Sequence, residues 1–68
     1  MSNLRAEVGK LIRKKRKEMG FSQEAFALYS NIDRSYVGRI ERGEANITLD
    51  LLYQIASSLS CDPKQLLA

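Results

Sequence analysis

Eleven Lys and Arg side chains carry most of the chemistry open to this chain, and their spacing says what that chemistry is. There is no histidine and a single cysteine, Cys61. That leaves no zinc cluster, no histidine general base and no intrachain disulfide, and no nucleophile stands in a recognisable setting. Cys61 falls near the end of an apolar pattern and reads as a small hydrophobe. Residues 1–20 hold seven cations (Arg5, Lys10, Arg13, Lys14, Lys15, Arg16 and Lys17) against Glu7 and Glu18, a local net charge of +5. Residues 21–68 hold Arg34, Arg39, Arg42 and Lys64 against six acids, a net −2. The overall +3, with an isoelectric point near 9.3, favours a polyanionic partner over catalysis.

These side chains need rigid elements to place them, and the chain has them. Its 68 residues form one domain, 1–68, of a size that folds alone but buries proportionally little surface. A hydrophobic share of 44% and a charged share of 28% exclude a disordered or membrane-embedded chain. No apolar run approaches the roughly 20 residues of a membrane helix, and the N-terminal stretch lacks the apolar segment of a secretory signal, so the cytoplasm is expected.

Residues 21–43, FSQEAFALYSNIDRSYVGRIERG, organise the rest. Ser22 and Asp33 are N-cap residues, each able to accept a bond from an orphan backbone N–H one turn on. Phe26 and Ala27 follow the first cap at helical spacing, and Val37 and Ile40 follow the second. Between the two helices Asn31 is suited to a left-handed corner. Ala27 is small enough for the helices to cross closely. The stretch is a helix-turn-helix.

The flanking elements are helical too. A first helix is expected from about Asn3 to Met19, with Ser2 as N-cap and a buried stripe of Leu4, Val8, Leu11, Ile12 and Met19. Lys10, Arg13, Lys14 and Lys17 step by three and four along another side. Gly9 inside this helix implies a closely packed neighbour, and Gly20 supplies a left-handed end. Arg16 borders the buried face and needs a partner, for which Glu41, just past Ile40, is the candidate. After the loop from Glu44 to Ile47, Thr48 caps a helix carrying Leu49, Leu52, Ile55, Ala56 and Leu59 as core. Asp62-Pro63 opens a last short helix to Leu67, expected to expose Leu66 and Leu67. The expected fold is all-α, with five helices.

The segments SQEAFA, IDRSYVGRIERG and NITLDLLYQIA resemble the compact, lambda-repressor-like DNA-binding domain of the Cro/CI/Xre class, over essentially the whole chain. Within that class DRSYVGRIERG is most similar to the controller proteins of restriction-modification systems. The resemblance implies that the second motif helix enters the major groove, with Arg34, Ser35 and Arg39 as base-reading residues. It implies phosphate contacts from Gln23, Tyr36, Arg42 and Asn46, although Arg42 could instead pair with Glu44, and Gln23 could be only a helix-start residue. Lys10 and Arg13 would add attraction from a distance. The implied partner is double-stranded DNA with a palindromic operator, bound by a homodimer through Leu66, Leu67 and the apolar residues of helix four. Relatives of this kind continue somewhat further, so a C-terminal extension is expected to be absent here. Leu28, Tyr29 and Glu24 are candidates for a second interface or for RNA polymerase. No cofactor, metal or small-molecule ligand is implied. The competing readings are an antitoxin-type autoregulatory module whose main partner is a toxin, and a phage-type repressor domain.

Overall fold

A computed structural model describes residues 3–67. Four α-helices follow one another, α1 (Leu4–Glu18), α2 (Gln23–Ser30), α3 (Arg34–Glu41) and α4 (Leu49–Ser58), and a 3-10 turn (Pro63–Leu66) closes the chain. Among the described residues there is no strand. The expected fifth helix is therefore corrected to a single 3-10 turn. Four residues are too few to nucleate an α-helix. The turn is held by a capping box, in which the Asp62 side chain accepts from Lys64 N at 2.9 Å and Gln65 Oε1 accepts from Asp62 N at 3.2 Å.

Each helix begins where an oxygen-bearing side chain can satisfy its first turn. Ser22 Oγ accepts from Ala25 N at 3.0 Å, Asp33 Oδ1 from Ser35 N at 2.8 Å, and Thr48 Oγ1 from Leu51 N at 3.1 Å. The Ser2 cap expected for α1 lies outside the described residues. Asn3 holds that position, accepting from Ala6 N at 3.2 Å. Gly20, with φ +80°, turns the chain out of α1 in the left-handed region, as its place after the last turn requires.

The core collects one stripe from every element: Ile12, Phe26, Val37, Ile40, Ile55 and Leu66 are its largest fully buried side chains. Leu66 is thus the main departure from expectation. It points into the molecule, because the 3-10 turn folds back onto α4 and α1, and only Leu67 remains exposed. Leu66 is corrected from dimer surface to core. Leu4 and Leu49, both read as core, are also exposed, at 65% and 73%. They stand in the first turns of their helices, above the rim of the packed layer. With Val8, Ile47, Leu52 and Leu67 they line an open apolar cleft of about 350 Å³. Met19 caps α1 beyond its last turn and is likewise exposed.

Gly9 shows why α1 and α3 can meet so closely. A Cβ there would collide with the Ile40 carbonyl oxygen and come within 2.8 Å of that of Glu41. The last turn of α3 therefore rests directly on the backbone of α1. No helix among the described residues is long and apolar enough to cross a membrane.

Candidate nucleic-acid interface

The geometry of α3 follows from its sequence. At 100° per residue, Val37, Ile40 and Glu41 fall on one side and are buried, while Ser35, Arg39 and Arg42, spaced by four and three, fall on the other and are exposed. Arg34 stands exposed at the first helical position. The Asp33 carboxylate beside it complements the positive end of the helix and satisfies the Ser35 amide. The helix thus presents two arginines and a serine with no intramolecular side-chain partner among the described residues. Planar guanidinium forks can bond two acceptors on one guanine edge, and the hydroxyl can donate or accept.

The corner before α3 is made by Asn31, whose φ of 59° and ψ of 43° are left-handed. Such values are tolerated by Asn better than by most L-residues. The chain reverses within three residues, and Ile32 N donates to Ala27 O at 2.9 Å. Ala27 is buried at the crossing. Gln54 Nε2 of α4 donates to Ser30 O at 2.8 Å and so holds the end of α2. The Ser30 hydroxyl beside it is buried without a partner among the described residues.

The other end of α3 is clamped. Arg16 Nε donates to Glu41 Oε2 at 2.7 Å and Nη2 to Oε1 at 3.0 Å, a fork-on-carboxylate pair inside the protein. Its third bond, Nη1 to Phe21 O at 2.7 Å, fixes the link between α1 and α2. Gln23 Nε2 adds a bond to Glu41 Oε1 at 3.1 Å. One carboxylate therefore joins the first three helices. Sequence spacing alone leaves Gln23 as a helix-start residue or a phosphate ligand. Its structural partner is visible only in the fold.

Tyr36 packs its ring against the core and donates its hydroxyl to Asn46 O at 2.8 Å, which ties the loop after α3 to the helix. The Asn46 side chain stays exposed. Arg42 Nε lies 3.2 Å from Glu44 Oε1, both side chains more than half exposed, so its cation is shared with a neighbouring acid. Gly38, between these residues, had no role assigned from sequence. It is buried in mid-helix, where a Cβ would stand 3.1 Å from Arg42 Nη1 and 3.9 Å from Gln23 Oε1. The signal that could have found it is a glycine inside a helix, where it costs about 1 kcal/mol relative to alanine.

Leu28 and Tyr29, 84% and 64% exposed, lie with exposed Glu24 on the outer side of α2, and the Tyr29 and Phe21 rings are 5.3 Å apart. Burial pushes the Cys61 thiol above its ordinary pKa, with Lys15 opposing. Among the described residues no three His, Cys, Asp or Glu side chains gather to hold a metal ion.

Two capped helices joined by a three-residue left-handed corner, the second with an exposed polar face, define a helix-turn-helix domain. The Helix-turn-helix family matches residues 12–66. Control protein C.BamHI of Bacillus amyloliquefaciens is 36% identical over 67 residues, which cover 97% of this chain and 83% of that one. The crystal structure of the restriction-modification controller protein C.AhdI from Aeromonas hydrophila is similar at 39% identity and a TM-score of 0.86, covering 90% of this chain and 92% of the other. A third, the controller protein C.Esp1396I, was solved as a tetramer in complex with its natural 35 base-pair operator. It has 36% identity and a TM-score of 0.85, covering 97% of this chain and 87% of that one. The chain belongs to the restriction-modification controller proteins of the helix-turn-helix family.

Proposed function

We propose that this controller protein is a sequence-specific transcription regulator that binds a palindromic operator as a two-fold dimer and governs restriction-modification genes, its own among them. The observation that carries the reading is the exposed Ser35–Arg39–Arg42 face of α3, capped by Asp33 and clamped from behind by Arg16 and Glu41. A rigid helix with a polar outer face is what entry into the major groove requires. Arg34 reads guanine through a two-bond contact, Ser35 and Arg39 read neighbouring positions, and Gln23, Arg42 and Asn46 hold phosphates. Gln23 keeps one amide hydrogen for this task while the other bonds Glu41. Tyr36 acts through Asn46, whose backbone it fixes. The second copy packs on the cleft formed by Leu4, Leu49 and Leu67. Leu28, Tyr29 and Glu24 are free to meet RNA polymerase.

Selection from a randomised duplex library at two salt concentrations, followed by sequencing, tests the reading. The expected outcome is an enriched palindrome whose half-sites lie about one helical turn apart, retained less at high salt. Recovery of no motif would refute sequence-specific binding.

A further inference from the structure

Four cations on α1 take no part in the reading helix or its clamp. Lys10, Arg13, Lys14 and Lys17 are exposed and together line a shallow depression of about 240 Å³. None of them forms an ion pair among the described residues: Glu18 is paired with Lys15 at 4.0 Å, Glu41 with Arg16 and Glu44 with Arg42. Four like charges held side by side repel one another, so the row lowers its energy when an anion lies along it. It runs seven residues, about 10 Å of helix, a length over which one DNA strand presents roughly three phosphates.

Its position also matters. Arg13 stands three residues before Arg16 and four after Gly9, so it shares a side of α1 with the two residues that rest on the end of α3. The row therefore begins beside the Arg16–Glu41–Gln23 junction, next to the start of α2, and continues around the outer face of α1. No apolar side chain lines the depression. The apolar residues Val8 and Ile12 of α1 are committed to the core, so the helix has no apolar face to lay into a membrane surface.

We propose that the Lys10–Arg13–Lys14–Lys17 row is a second DNA-contacting surface, which grips the sugar-phosphate backbone of the bound duplex outside the groove read by α3. It rests on the reading of α3 as the operator-binding helix. The row supplies sequence-independent affinity and widens the footprint beyond the bases that are read.

The test compares three proteins on a selected operator duplex and on the same duplex lengthened by ten base pairs at each end: the wild type, Arg13→Gln/Lys17→Gln, and Arg5→Gln/Lys64→Gln. Both variants lose the same charge at exposed positions, but only the first touches the row. On the lengthened duplex the first variant is expected to lower the slope of log affinity against log salt by about 2, from roughly 0.9 per lost phosphate contact. It is also expected to lose the wild-type preference for the longer duplex while enriching the same bases. The control pair is expected to keep both. Equal effects of the two variants, or a full slope in the first, would overturn the proposal and leave operator reading intact. A wild type that enriches no sequence would overturn both.

Discussion

The two ends of α3 are held in opposite ways. At its N-terminal end Arg34 and Ser35 reach into solvent, and a single cap from Asp33 is the main side-chain bond. At its C-terminal end Glu41 is buried, accepts from Arg16 twice and from Gln23 once, and lies against the bare backbone at Gly9. The end that reads nothing sets where the other end can read. A contact surface needs side chains free to meet bases, and those side chains lose precision unless something behind them is rigid.

Breaking the clamp should have the largest effect. Glu41→Ala leaves the Arg16 guanidinium buried with only Phe21 O, and a stability loss of about 3–5 kcal/mol is expected in chemical denaturation. An unchanged midpoint would remove the clamp from the explanation. Next comes Gly9→Ala, which forces α3 away from α1. A loss of about 1–3 kcal/mol is expected, although alanine is the better helix former, and thermal melting would show it. Gln23→Ala should cost about 1 kcal/mol of stability, since Glu41 keeps Arg16, and should weaken binding to all DNA sequences alike. The smallest effect sharpens the contrast from the exposed side. Glu44→Gln releases Arg42 from a solvent-screened pair. It should move stability by less than about 0.5 kcal/mol and raise DNA affinity by no more than about fivefold in a titration at low salt.

The same division separates what the sequence could show from what it could not. Ser22, Asp33 and Thr48 as caps, Asn31 at the corner and Gly9 as a close approach were legible because each acts within a turn or excludes a side chain. Arg16 and Glu41 were legible as a pair because a cation at the edge of a buried face has few ways to be satisfied. Helical spacing marked Leu4, Leu49 and Met19 as inward, yet the packed layer ends before it reaches the first turns of α1 and α4 or the cap of α1. Leu66 was misplaced for a related reason. Its burial depends on a 3-10 turn reversing onto α1 and α4, which no local period encodes. The Gln23–Glu41 and Tyr36–Asn46 bonds join residues brought together by tertiary packing, and their partners were not named from spacing.

The most direct measurement is to sequence the duplexes retained from a random library by the wild type and by Arg34→Ala side by side. The expected result is a palindrome for the wild type and, for the variant, the same palindrome with preference lost at one position per half-site and affinity lower by about 1–3 kcal/mol. An identical profile for both proteins would mean that the exposed end of α3 does not read the operator.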